Sequence, residues 1–328
     1  MKIAFITPQG KADYLVETVL EGFHQLGHEL IVSDPGNGFC DFPMSANDFV
    51  THANQSDLVI ACFGKVRNNA PPRHYLLSQI HQPRERKVYV DGSEWSATGW
   101  DTPSQVALSL TDPTHRRGHP WLNENMRKEC GFYFKRECYP DDIDRYGVIP
   151  LPFALCQRHI LEPAEKDIDV FCSFGHTKTG MRREIIEVVE HFARTMDPSA
   201  DINVVIKSGM SSQEYQDTLR RSRIVIDAWG GGDLCDRFWE GIGSKATVLY
   251  QRYNVEFPDP FVDWDQAVSW STVPELSNAL HRLVYSRTEA LDIGIKGFEH
   301  AKRYHTAASR VKKILDYCHV DSDVTLTR

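Results

Sequence analysis

The sequence has 328 residues, 41% hydrophobic and 25% charged, with a formal net charge of −8. That length suits two domains of about 150 residues each, and the composition is that of a globular protein. The acidic balance gives no push towards bulk nucleic acid or an anionic membrane, and no run approaches the roughly 18 apolar residues of a spanning helix.

Lys2 to Thr7 reads as a first core strand, and the run is too short before Pro8-Gln9-Gly10 for a signal peptide. From Ala12 to Leu26 the apolar residues Leu15, Val16, Val19, Leu20, Phe23 and Leu26 fall at helical spacing, and Gly27 is placed to stop that helix. A second strand begins at Glu29. Asp57 to Phe63 and Lys87 to Val90 are further, largely apolar strands. Strands alternating with helices predict a parallel sheet of the α/β class. Trp95 to Glu129 is irregular, and only loops and short helices are expected there. Phe132 to Arg136 is a short strand. Gly147 to Phe153 carries two prolines and reads as the link between a domain over 1–152 and another over 153–328.

The second half restarts the pattern. Strands are predicted at Asp169 to Phe174, Asn203 to Ile206, Ile224 to Ile226 and Ala246 to Tyr250. Helices are predicted at Met181 to Thr195, from the Ser211–Glu214 capping box to Ser222, over Asp236 to Ser244, from Thr272, and between Glu289 and Tyr317 as one or two segments. Eight cysteines are scattered without a CxxC, several in apolar runs, which predicts reduced thiols and a cytoplasmic location.

The densest chemistry lies between Ile224 and Tyr250. An apolar strand runs into Gly230-Gly231-Gly232-Asp233, then a helix, then a second apolar strand, a natural cradle for a charged ligand. Arg237 and Glu240 stand three apart on that helix, on one face. An arginine there suits a phosphate and a glutamate suits a ribose diol; the plain alternative is a surface ion pair. Asp227 and Asp233 flank the glycines, placed either to meet sugar hydroxyls or to cap the loop. Earlier, the Gly175–Gly180 loop joins a strand to a helix, with Lys178 in the loop and Arg182 in the first turn. Basic residues are unfavourable against a helix N-terminus, so their presence points to an anion between them. In the first half, Asp91-Gly92-Ser93-Glu94 follows a strand where open α/β sheets place ligands. Glu94 is the preferred general base and Asp91 the reserve, against a simple Asp-Gly turn. The Asp-x-Asp triplets at 142–144, 167–169 and 263–265 are weak metal signals in so acidic a chain, and no metal site is expected. Neither GxSxG nor GxGxxG occurs.

On these residues the chain resembles the GT-B-fold glycosyltransferases: the bacterial family 1/4 and spore-maturation types, with a donor-site pattern also similar to phage DNA β-glucosyltransferases. Asp169 to Glu184 resembles their diphosphate-binding element, and Ser208-Gly209-Met210 with the following helix their base-binding loop. Arg237-Phe238-Trp239-Glu240 resembles their ribose- and phosphate-binding helix. The resemblance implies two Rossmann-like parallel-sheet domains facing across a cleft. It implies phosphate ligands Gly175, Lys178, Arg182 and Arg237, nucleoside ligands Gly209, Met210 and Glu240, and donor-sugar contacts Asp227, Gly231, Gly232 and Asp233. The implied activity is metal-independent transfer of a sugar, with no cofactor, from a nucleoside-diphosphate sugar, UDP first among them. The acceptor is an unidentified hydroxyl on a glycan, small molecule, protein or, last, DNA. Retaining members often carry a glutamate where Gly232 stands, which leaves the stereochemistry open with a tilt towards inversion. A nucleotide-sugar epimerase of the same fold and a catalytically silent binding protein are the alternatives.

Overall fold

The computed structural model describes residues 1–8, 14–34, 44–63, 74–94, 122–175, 180–230 and 232–319. In the first half these form strands β1 (Lys2–Ile6), β2 (Glu29–Val32), β3 (Leu58–Phe63), β4 (Lys87–Asp91), β5 (Phe132–Lys135) and β6 (Ile149–Pro150), with helices α1 (Tyr14–Gln25), α2 (Ala46–Ala53), α3 (Glu124–Glu129) and α4 (Pro140–Tyr146). The strands make one parallel sheet in the order β2-β1-β3-β4-β5-β6. The second half holds β7 (Ile168–Cys172), β8 (Val204–Ile206), β9 (Ser222–Asp227), β10 (Thr247–Gln251) and β11 (Val268–Trp270). Its helices are α5 (Gly180–Thr195), α6 (Ser212–Arg221), α7 (Asp236–Gly243), α8 (Val273–Tyr285), α9 (Arg287–Tyr304) and α10 (Ala307–Tyr317). This sheet too is parallel, in the order β11-β10-β9-β7-β8.

The reason is legible in the strands themselves. Both faces of each sheet are covered, so β3 and β4 are almost wholly buried and read as continuous apolar runs rather than alternating ones. Helix α1 buries Leu15, Val16, Val19, Leu20 and Phe23 on one side, and Gly27 takes a left-handed φ of 73° just beyond it. Ser211 caps α6 by accepting the Glu214 amide proton, as its position predicts. The triplet at 167–169 serves β7: the Asp169 carboxylate, 1% exposed, accepts from Arg223 Nη1 at 2.8 Å and from Arg287 Nε at 2.9 Å. Among the described cysteines none is paired. No helix among the described residues is long and apolar enough to cross a membrane.

The proline-bearing stretch from Gly147 contributes β6 to the first sheet and runs on as a buried segment, Leu151 to Cys156. Helix α10 covers it. Arg310 of α10 donates to the carbonyls of Pro152 at 3.0 Å and Phe153 at 2.9 Å. Its Nη2 also lies 3.0 Å from His305 Nδ1. Arginine can only donate, so Nδ1 accepts and the proton sits on Nε2, which donates to the Asp259 carbonyl at 2.7 Å. Helix α10 thereby lies against α1, far from it in sequence. The approach depends on Gly22, where a Cβ would overlap the Ala307 carbonyl oxygen and stand 2.6 Å from Val311 Cγ2. Gly22→Ala is therefore expected to destabilise by about 1–3 kcal/mol, read as a lower urea midpoint, despite alanine's better helix propensity. An unchanged midpoint would show that the two helices are free to separate.

Candidate functional site

Of the described residues singled out in the second half, Asp227, Arg182 and Arg237 gather beyond the C-terminal ends of β9 and β7, where parallel sheets leave room for a ligand. Asp227 ends β9 and Arg237 lies in the first turn of α7, with the glycine loop between them. Arg237 Nη1 stands 3.6 Å from Asp227 Oδ1, an ion pair too long to be a hydrogen bond. The guanidinium of Arg237 lies 4.8 Å from the Phe174 ring centre and that of Arg182 5.3 Å from the same ring. Two cations thus share one aromatic ring and face one carboxylate. Burial pushes that carboxylate, Asp227, up to about 7, with Arg237 and then Arg182 opposing it. The cluster is net positive near neutrality and suits an anion.

Arg237 Nε and Nη1 and Asp227 Oδ1 are buried without a hydrogen-bond partner among the described residues. Orphaned buried donors of this kind are costly unless something accepts from them. Arg182 is more committed, since its Nε donates to the Trp229 carbonyl at 2.9 Å and its Nη2 to that of Ala228 at 3.4 Å. It holds the start of the glycine loop and adds charge behind it.

One turn beyond Arg237, Glu240 Oε2 accepts from the Tyr215 hydroxyl at 2.6 Å. Burial, then the nearby Asp236 charge, raises this carboxyl. Gly209 takes a left-handed φ of 69°, and Met210 and Tyr215 both pack against the cluster of Phe171, Leu219, Val225 and Ala246. The expected loop at 209–210 and Glu240 therefore border one region, with Tyr215 joining them. Helix α7 is anchored at its start by Asp236, which accepts from Arg158 Nη2 at 2.9 Å and His159 Nε2 at 3.1 Å. His159 Nδ1 accepts the Cys156 amide proton, so its other nitrogen is the donor. A carboxylate at a helix N-terminus is favourable in its own right.

On the first sheet the two acidic candidates have different surroundings. Asp91, 3% exposed, accepts from Lys135 Nζ at 3.0 Å, Tyr133 Oη at 2.6 Å and the Ser93 amide at 2.9 Å. Burial alone would raise it, but Lys135, Tyr133 and Ser93 together hold it below the usual carboxylate range. Lys135 Nζ also donates to Ser93 Oγ at 2.8 Å, which fixes the turn leading to half-buried Glu94. Asp233 is fully buried and both its oxygens are engaged, one by the Tyr139 hydroxyl at 3.2 Å and the other by Asn254 N at 2.7 Å and Nδ2 at 3.0 Å. Gly175 is exposed at the end of the strand–loop, and Gly232 is backed by the Glu137 carboxylate. Lys178 and Gly231 lie outside the described residues.

Sequence reasoning passed over Phe174, Tyr215, Glu137 and Tyr139. Glu137 was within reach of it, because it follows the end of β5 as Glu94 follows the end of β4, and the same strand-end rule applies to both.

An α-glucosyltransferase solved with UDP-glucose and DNA containing an abasic site matches 97% of this chain over 99% of its own, at TM-score 0.62 and 12% identity. HepE of Anabaena, solved with UDP and glucose, matches 96% over 98% at TM-score 0.58 and 10% identity. The fold is GT-B. A glycosyltransferase from Rickettsia africae matches 97% of the chain over 98% of its own, at TM-score 0.59 and 10% identity. Residues 157–316, which hold the whole second sheet of this GT-B chain, match the family model described as glycosyl transferase-like. No curated protein matches the sequence. The expected architecture, two α/β units built on parallel sheets, is the one observed.

Proposed function

We propose that the protein is a glycosyltransferase that takes a sugar from a nucleoside-diphosphate sugar, a UDP-sugar first, and passes it to an acceptor hydroxyl. The observation that carries this reading is Arg237, whose buried Nε and Nη1 protons lack an acceptor among the described residues, within a net-positive cluster. A diphosphate supplies the acceptors those protons require, and the same contact strengthens as negative charge builds on the leaving nucleotide. Arg182 and Lys178 add charge, and Gly175 lets the backbone approach. Glu240 takes the ribose hydroxyls beside Gly209, Met210 and Tyr215. UDP is favoured because the α-glucosyltransferase and HepE were solved with it or its glucose conjugate.

The sugar lies along the glycine loop past Asp227, near Gly231, Gly232 and Asp233. Glu94 takes the acceptor proton. In support, its charge adds to the upward push on Glu137, whose carboxylate touches that loop. Asp91 serves by holding the turn, being committed to Lys135.

The test is a melt with UDP, GDP, ADP and CMP, followed by UDP release from UDP-sugars with and without EDTA. UDP alone at about 100 times its dissociation constant should stabilise by roughly 2.7 kcal/mol. Turnover should survive EDTA, and Glu94→Gln should bind UDP normally yet release none. A silent binding protein would shift its melt without ever turning over, and the absence of any nucleotide shift would overturn the reading altogether.

A further inference from the structure

Glu137 is a buried carboxylate with no part in the chemistry above. It stands two residues beyond β5, 1% exposed, and its oxygens reach the other sheet's loop. Oε2 accepts the Asp233 amide proton at 3.1 Å and Oε1 that of Leu234 at 3.4 Å. Oε1 also accepts from Arg136 Nε at 3.1 Å, a guanidinium that in turn lies 4.8 Å from the Phe153 ring centre. A Cβ at Gly232 would come within 2.5 Å of Oε1 and 2.6 Å of the carboxyl carbon. The backbone of Gly232 has no left-handed φ, so the carboxylate is what a side chain there would meet. Two residues on, Tyr139 Oη donates to Asp233 Oδ1. The segment 136–139 thus grips the loop twice, once by its amides and once by its aspartate.

We propose that Glu137 is a positioning residue for the transfer: it fixes the Gly232–Leu234 turn of the donor loop against the first sheet. The inference rests on the glycosyltransferase reading for its consequence, though not for its geometry. A loop held by its amide protons at 233 and 234 and, through Arg182, by its carbonyls at 228 and 229 is pinned at both ends. A sugar lying along it would be held to the tolerance that reaction geometry requires. The arrangement is costly by itself. Burial raises Glu137, Arg136 opposes it, and Asp233 and Glu94 add to the rise. A buried carboxylate opposed by one arginine and pushed up by two neighbouring carboxylates is retained for placement rather than for stability.

The experiment compares wild type with Glu137→Gln, Glu137→Ala, Gly232→Ala and the Glu137→Ala/Gly232→Ala pair. Amide exchange in the ligand-free protein should speed up about tenfold or more at Asp233 and Leu234 in Glu137→Ala, with Ile224 to Ile226 unchanged. Gly232→Ala should lower the melting temperature in wild type but not in the Glu137→Ala background, where the added methyl finds room. With UDP-sugar, kcat should fall about a hundredfold in Glu137→Ala with KM changed less than threefold, and Glu137→Gln should recover part of it. Unchanged exchange, or additive effects in the double variant, refutes the clasp. Faster exchange with intact kcat refutes the positioning role. If wild type itself shows no nucleotide-dependent turnover, the transfer reading fails and the positioning role with it, while exchange and melting still judge the clasp.

Discussion

Exchanging Lys135 for methionine should cost the fold about 3–5 kcal/mol at pH 7, because it leaves a buried carboxylate without its cation. The Lys135 side chain is wholly buried, and its ammonium holds Asp91 at 3.0 Å and Ser93 Oγ at 2.8 Å. Unfolding entropy of about 2.1 cal/mol/K per residue converts that cost to a fall of roughly 4–7 °C in melting temperature. The pH dependence fixes the cause. In wild type Asp91 is held below its ordinary range, so its contribution is present above that range and is lost only as pH falls through the lowered value. Without Lys135 the carboxyl rises instead, so the variant is most stable below the ordinary aspartate range and loses stability as pH rises. The gap between the two proteins should therefore be widest at neutral pH and narrow towards pH 4. Asp91→Asn in the Lys135→Met background should recover much of the loss. A gap independent of pH would mean that packing, not charge, dominates at Lys135.

Arg237→Met should weaken UDP binding by about 10–100-fold. One charge-assisted hydrogen bond contributes about 1.5–3 kcal/mol, and about 1.4 kcal/mol is a factor of ten. Methionine keeps the bulk and a favourable contact with the Phe174 ring. The fold should tolerate the exchange better than it tolerates the loss of Lys135. Asp227, raised by burial to about 7, needs little further push to become neutral when its cation leaves. Calorimetric titration with UDP, beside a melt of the ligand-free variant, separates binding from folding. An unchanged dissociation constant would remove Arg237 from the donor site.

Most of the architecture was readable in advance for a simple reason. Runs such as Leu58–Phe63 and Ile224–Ile226 are apolar on both faces, which only a covered parallel sheet requires. Arg237 and Glu240 were readable because helix spacing alone puts them on one side. What escaped was short or non-local. Strand β11 is three residues long, and β6 contains Pro150, tolerated because it sits at a sheet edge. The pairing of Asp91 with Lys135 spans 44 residues, and that of Glu137 with the Asp233 amide spans 96. No local pattern announces either. Asp91 and Glu94 looked alike as carboxylates past one strand, and it is the lysine and tyrosine of the neighbouring strand that tell them apart.

The contact between α1 and α10 bears on how the protein is made. Helix α1 ends at Gln25 and its partner begins at Ala307. A ribosome adding about 5–20 residues per second takes roughly 15–60 s to cover that interval. Throughout it, the side of α1 around Gly22 that α10 later covers is open to other chains. The first sheet can form early, but one of its layers is completed only when α10 emerges. Nascent chains released before Thr306 would carry a bare apolar seam, and those are the species a chaperone is expected to hold.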